Sequence, residues 1–409
     1  MSPTPAAGPD SGRRWLMLGV TALGFVAFTF NWFVMPGTFG GVAQAFSSGL
    51  PELALLLSAF VGGYAVMHIP AGFLAVRFGL RSTMTAGLAL EGASTALAAL
   101  APDYRTLLVL RLVAGLAASV FAGIGIAAVS AWFREREHAL AMGVVSASFS
   151  VGVAVGLYLW TPVLDALGWR AGLAAAGGTA FAVAVLVGSV YRAPDGTAEL
   201  RGTVLTRGSI RAVLGNTALW RFGLAFFVGY GGYFAVAQLV GTFALDADYP
   251  ASVAALAALM AGVAGLPGSL VAGWLSDRSR RRRAWFTAFL VLQAAGTLLL
   301  PLLGPGGLWF AAFLVGFGFN GCFAIWQTIP ADVAGVPSEH VGTAVGLLLT
   351  VGGVGGFAVP WAVGALTPGH GYPAAWTAVA IGTLACLAAV ATPVRRRQVR
   401  TPRAAPAVP

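Results

Sequence analysis

The chain contains no lysine, few charges of either sign and almost no cysteine. Charged residues make up 9% of its 409 residues, where a soluble domain carries about a quarter. Hydrophobic residues make up 58%, and mean hydropathy is +0.83. Such a composition leaves no polar shell and excludes a water-soluble body. Cys322 and Cys386 both lie in apolar stretches, which excludes a disulfide framework and a thiolate metal site. The apolar stretches hold no paired acid–base or nucleophilic groups, and the loops between them are too short to carry a catalytic site. The run Gly352, Gly353, Gly355, Gly356 lies inside an apolar stretch, so it is not a phosphate loop. Neither an enzyme nor a cofactor-dependent protein is expected.

Twelve apolar stretches are present, at 15–43, 52–73, 82–101, 106–130, 140–162, 170–190, 217–244, 252–275, 284–303, 308–330, 341–367 and 374–392. Each is near or above the ~20 residues a helix needs to cross ~30 Å of hydrocarbon. Backbone groups find no water there, so helices are the expected form. The fold class that follows is an all-α membrane protein with twelve transmembrane helices. Short polar turns after spans two, three and ten predict antiparallel hairpins.

All 24 basic residues are arginine, and 21 of them fall at the termini or in the even-numbered gaps. Arg105 and Arg170 lie on the other face, and Arg111 lies inside a span. The positive-inside rule then places both termini in the cytoplasm of a multi-pass plasma-membrane protein. The net charge of +10 reads as topology and attraction to the inner leaflet, with no domain to present a basic face to nucleic acid. The first apolar run follows Arg13 and Arg14 and is about twice the length of a signal-peptide core, so an uncleaved first span is expected. The 56 glycines are concentrated in the spans, as close helix packing requires.

The chain divides at its longest polar gap. The expected segments are a cytoplasmic tail (1–14), a six-helix bundle (15–190), a cytoplasmic linker (191–214), a second six-helix bundle (215–393) and a basic tail (394–409). The halves echo each other. Gly72-Phe-Leu-Ala-Val-Arg77 follows span two, and Gly273-Trp-Leu-Ser-Asp-Arg278 follows span eight. Parallel halves of six spans are a known transporter architecture.

At this point the chain resembles the major facilitator superfamily. The family's loop motif, G-x-x-x-D-R-x-G-x-R, is matched by Gly72, Arg77, Gly79 and Arg81, with Val76 in place of the usual Asp. The second copy keeps Gly273, Asp277 and Arg278 but has Arg280 where a glycine is usual. Arg111-Leu-Val-Ala-Gly115 resembles the family's fourth-span pattern, and Gly168-Trp169-Arg170 resembles the turn before the sixth span. The resemblance implies two bundles around a central cavity, rocking between outward-open and inward-open states. Spans one, four, seven and ten would line the cavity. An Asp–Arg pair in these loops can latch the bundles in one state and release them in the other. Asp277 and Arg278 keep that capacity, while Val76 cannot accept such a bond.

Arg111 is the only basic side chain well inside a span, where it costs about 3 kcal/mol on a translocon-type scale. Glu91, in span three, is the one deeply placed acid. Counted from the hairpin at Pro102, the two residues sit within about 3 Å of the same depth, so a contact is expected. Three readings are open. The pair can hold the hairpin, Glu91 can exchange a proton while Arg111 tunes it, or Arg111 can bind an anionic substrate. Mid-span polar and aromatic residues mark the expected cavity: Asn31 and Trp32 in span one, Tyr230, Tyr233 and Gln238 in span seven, and Asn320, Trp326 and Gln327 in span ten. The second half carries no ionisable group at mid-depth, so a dianion clamped from both halves is not expected. Span five has Gly156-Leu157 followed by Trp160-Thr161, where the family's drug–proton antiporters usually show G-P-x-x-G-G.

The expected function is secondary active transport of a small neutral or monoanionic organic solute by proton-coupled uptake. The alternative is drug or metabolite efflux by proton antiport. The expected partners are the solute, the bilayer and protons, with the chain acting as a monomer.

Overall fold

The computed structural model describes residues 10–133, 137–194, 207–337 and 340–391. The expected basic tail at 394–409, most of the N-terminal tail and the centre of the linker lie outside the described residues.

Among the described residues the secondary structure is helical throughout. Span one is Asp10–Trp32, extended by a 3-10 turn at Pro36–Thr38 and a short helix at Phe39–Phe46. Spans two, three and four are Leu50–Phe78, Leu80–Ala98 and Tyr104–Trp132. The continuous helix His138–Val190 is broken at Gly168 (φ +79°) into spans five and six. Span seven is Thr217–Asp246, and span eight is Ala251–Val263 followed by Gly265–Ser279. Spans nine and ten are Arg282–Leu299 and Gly304–Trp326. Val341–Cys386 is broken at Gly371 (φ +79°) into spans eleven and twelve. The two breaks share one backbone conformation that L side chains rarely adopt, which is why glycine stands at both.

Nine of the described stretches are long and apolar enough to cross a bilayer by themselves. Leu80–Ala98 and Arg282–Leu299 fall short because polar residues interrupt them, and Thr343–Val390 runs as one stretch through the break at Gly371. Twelve crossings result, as the sequence leads one to expect. Side chains cap two helix starts outside the spans' hydrocarbon. Asp103 accepts the N–H of Thr106 at 2.7 Å, which holds its carboxyl below the usual carboxylate range. Asn216 accepts the N–H of Ala218 at 3.0 Å.

Each bundle closes around near-contact of backbones. A Cβ on Gly115 would lie 1.9 Å from the carbonyl oxygen of Phe60, locking span four against span two. A Cβ on Gly316 would lie 2.1 Å from the carbonyl oxygen of Ala261, locking span ten against span eight. The repeat is therefore structural as well as sequential: the two glycines do the same work in the two halves. Between the bundles, span two meets span eleven along a seam where Ala54 faces Gly364, Val61 faces Gly356 and Ala65 faces Gly353. Span five meets span eight where Ala154 faces Gly262. The ring of Trp32 stacks on that of Phe234 at 5.0 Å, joining span one to span seven.

Candidate functional site

The buried charges sit inside the first bundle. Glu91 and Arg111 are both 0% exposed. Gly87 packs against Ala117 and Phe121, which sets the antiparallel register of spans three and four. Glu91 then falls level with Ala114 and Ala117, and Arg111 falls level with Thr95. The two charges are offset by about one turn, roughly 6 Å. The contact expected from the hairpin count is therefore not made. Glu91 and Arg111 are electrostatic neighbours, but neither carboxylate oxygen of Glu91 has a hydrogen-bond partner. The hairpin count treated both helices as straight from Pro102, whereas helix three ends at Ala98 and helix four begins at Tyr104.

Arg111 donates one N–H to the carbonyl of Trp32 at 3.4 Å, and its guanidinium lies over the ring of Phe60 at 4.7 Å. Its Nε and Nη1 have no hydrogen-bond partner. Asn31, also 0% exposed, is two turns from Gly24, which packs on Phe121, so Asn31 faces span four near Ala114. Both of its amide atoms lack partners, as does the hydroxyl of Thr95. Spans one, three and four thus bring Asn31, Glu91, Thr95 and Arg111 to one interior region, with seven orphaned polar atoms among them. Buried polar groups in folded proteins are almost always paired, so a cluster of orphans calls for water, an ion or a ligand. A guanidinium with N–H groups left open can donate charge-assisted hydrogen bonds to a carboxylate.

The second bundle treats the same place differently. Gln293 in span nine is flanked by leucine one residue before and threonine four after, as Glu91 is in span three. Its Nε2 donates to the carbonyl of Gly229 at 2.6 Å. The second half therefore carries a neutral amide where the first half carries an acid.

Aromatic rings dominate the surface between the bundles. Trp32 stacks on Phe60 at 4.7 Å and lies 5.3 Å from Tyr64, while its indole N–H is orphaned. Tyr230 packs against Phe319 at 5.6 Å and Trp326 at 6.1 Å. Tyr233 stacks flat on Phe319 at 3.9 Å. The expected polar anchors of spans seven and ten are largely engaged. Gln238 donates to the carbonyl of Phe234 at 3.2 Å, Asn320 to that of Gly316 at 2.9 Å, and Trp326 to that of Phe222 at 3.0 Å. Gln327 does not lie mid-span. Helix ten ends at Trp326, so Gln327 is exposed in the following turn. Its amide followed an apolar run that the helix does not extend through.

A cavity of about 590 Å³ opens toward the arginine-poor face, between spans one, two, five, seven and eight. Phe33, Trp160, Gln238, Thr242 and Asp246 are among its walls. Sequence reasoning did not select Trp160, whose N–H reaches the carbonyl of Phe30 at 2.8 Å. His68, half-buried in span two, also carries more polar contact than its apolar surroundings suggest. His68 places Nδ1 2.6 Å from the carbonyl of Tyr64 and 3.0 Å from the hydroxyl of Ser119. A carbonyl only accepts, so Nδ1 carries the proton and Nε2 is the basic nitrogen.

The loop residues brace their own bundles. Gly79 turns the chain at φ +82° between spans two and three. Arg81 donates through two N–H groups to the carbonyl of Gly188, tying span three to span six. Arg77 is exposed over Phe78, Gly72 is exposed and Gly273 half-buried. In the second loop Asp277 pairs with Arg282 at 2.6 Å, and Arg282 also pairs with Asp332 at 3.0 Å. The partner expected from the motif, Arg278, instead lies over the ring of Trp274. Arg282 was hidden within an arginine run in which no member stood out.

A sequence profile of the Major Facilitator Superfamily matches residues 20–360. The chain is 27% identical to the probable nitrate/nitrite antiporter NarK1 of Thermus thermophilus, covering 89% of this chain and 86% of that protein. It is 25% identical to the D-galactonate transporter of Escherichia coli O6:H1, over 81% and 84% of the two chains. Among solved structures, a bacterial homologue of the human lysosomal transporter Spinster, in an inward-facing and unoccupied conformation, has a TM-score of 0.73. It is 16% identical, with 94% of this chain and 95% of that one covered.

Proposed function

The chain belongs to the Major Facilitator Superfamily and is a multi-pass membrane transporter and not an enzyme, and on that premise we propose that it carries a small monoanionic organic solute by alternating access, together with a proton. The observation that carries this reading is the wholly buried Arg111 with two N–H groups lacking partners. A buried cation needs a counter-charge. Glu91, about one turn away, supplies one when ionised, and the carboxylate of a solute supplies the other. Protonation of Glu91 frees Arg111 for the solute, so solute and proton load together and the loaded carrier gains no net charge. Nitrate and galactonate, the solutes in the names of two relatives, are both monoanions. Asn31 and Trp32 lie beside the anchor, and Tyr230, Tyr233, Gln238, Asn320 and Trp326 form the opposite wall. Gly72, Arg77, Gly79, Arg81, Gly273, Asp277 and Arg278 serve gating by keeping each bundle rigid while the two rock.

The arginine distribution supports a plasma-membrane location with both termini in the cytoplasm. The word antiporter in the name of the Thermus relative favours exchange or efflux as the second reading.

The test uses purified protein in proteoliposomes. Glu91→Gln is expected to keep solute exchange and lose accumulation driven by a pH gradient, while Arg111→Gln loses both with unchanged elution on size exclusion. Full accumulation by Arg111→Gln would overturn the reading.

A further inference from the structure

Three of the polar side chains facing the bundle interface already donate to backbone carbonyls, and of them only Gln238 keeps a free acceptor, its Oε1, beside the cavity. Gln238, Asn320 and Trp326 each donate to a carbonyl of span seven or ten, at 3.2, 2.9 and 3.0 Å. What remains toward the interface is mostly ring surface, closed in this conformation by the stack of Trp32 on Phe234 at 5.0 Å, so a solute's ring takes that place only as the bundles part. On the first bundle it is Trp32 and Tyr64, 5.3 Å apart. On the second it is Tyr230 and Phe319, 5.6 Å apart, with Phe234 5.2 Å from Tyr230. Tyr64 and Tyr230 are electrostatic neighbours across the interface.

A polyhydroxylated acid would place its hydroxyls against these rings. Each buried hydroxyl left without a partner weakens binding roughly ten-fold or more. An inorganic anion would pair with Arg111 and leave the ring surface uncovered. A flat apolar body gains from both walls, because offset and edge-to-face ring contacts are favourable beyond the area they bury. An organic cation is drawn to ring faces as well, but here the guanidinium of Arg111 already occupies one face of Phe60 and repels it.

We propose that the solute is an aromatic monocarboxylate, its carboxylate on the free N–H groups of Arg111 and its ring between Trp32 and Tyr64 on one side and Tyr230 and Phe319 on the other. This rests on the reading of Arg111 as the anion's anchor.

The experiment measures thermal unfolding and tryptophan fluorescence of the full chain in detergent. The probes are benzoate, phenylacetate, D-galactonate, nitrate and tetraphenylphosphonium. Benzoate and phenylacetate are expected to stabilise the protein and bind at least ten-fold tighter than galactonate or nitrate. Arg111→Gln abolishes this, Arg111→Lys weakens it, and Phe319→Leu weakens the aromatic acids while leaving the small anions unchanged. Galactonate or nitrate binding as tightly as the aromatic acids, still dependent on Arg111, would overturn the aromatic class and leave the anion anchor standing. Tetraphenylphosphonium binding with no anion bound at all would overturn both. Failure of every probe to bind at concentrations up to about 50 mM, a binding free energy weaker than about −2 kcal/mol, would also overturn the aromatic proposal.

Discussion

If Glu91 and Arg111 share one charge account inside the first bundle, their contributions to stability cannot be independent. The perturbation is a double-mutant cycle of Glu91→Gln, Arg111→Gln and the pair. The axial offset of one turn, taken as a separation on the order of 6 Å, gives an interaction of about 3 kcal/mol at the effective dielectric of ~20 that suits protein interiors. Both side chains are wholly buried, so solvent does not screen that figure. Glutamine is the right replacement at 91, because Gln293 shows that an amide fits the equivalent place and can reach a carbonyl of the neighbouring span. Each single variant leaves one buried charge without its neighbour, and the double variant leaves none. The double variant should therefore be less destabilised than the two singles sum to, by about 3 kcal/mol. Denaturant unfolding of the four proteins in one micelle composition measures this. Additivity within about 0.5 kcal/mol would show the two groups to be uncoupled and refute the reasoning.

The packing makes three further predictions. Gly115→Ala puts a carbon 1.9 Å from the carbonyl oxygen of Phe60, so spans two and four must part; a loss of about 1–3 kcal/mol in unfolding free energy is expected. Arg280 holds a left-handed conformation at φ +54°, at the turn where the family motif places glycine, and Arg280→Gly should raise stability by about 1 kcal/mol in the same assay. Gly353→Ala puts a carbon 2.2 Å from Ala65 Cβ across the bundle seam, so it should displace the equilibrium toward states with that seam open. Faster thiol labelling of a cysteine placed at Ala65 reports it, and an unchanged rate would contradict it.

The crossings were legible because hydrocarbon thickness and the arginine asymmetry act on long stretches, which smooths over individual residues. Span three shows the limit. It carries Arg81 and Glu91 and is less apolar than its neighbours, yet it is a helix of 19 residues, beside 18 in its partner span nine. The site was legible as residue types only. Depth counting brought Glu91 and Arg111 close, but the true offset depends on where the helices end at Ala98 and Tyr104. The salt-bridge partner of Asp277 could not be read from the motif, because Arg282 is one of several adjacent arginines and only the turn at Arg280 decides which one points back. The committed state of Gln238 and Asn320 was likewise hidden, since a helix offers its own carbonyls to any amide one turn away.

The central claim is that Arg111 takes its counter-charge from Glu91 or from the solute in turn. Proteoliposomes loaded with a pH dye and given the tightest-binding monoanion from the binding screen test it directly. Wild type should carry one proton inward per anion, Glu91→Gln should move the anion with no proton, and Arg111→Gln should move neither. Equal proton movement by wild type and Glu91→Gln would contradict the account.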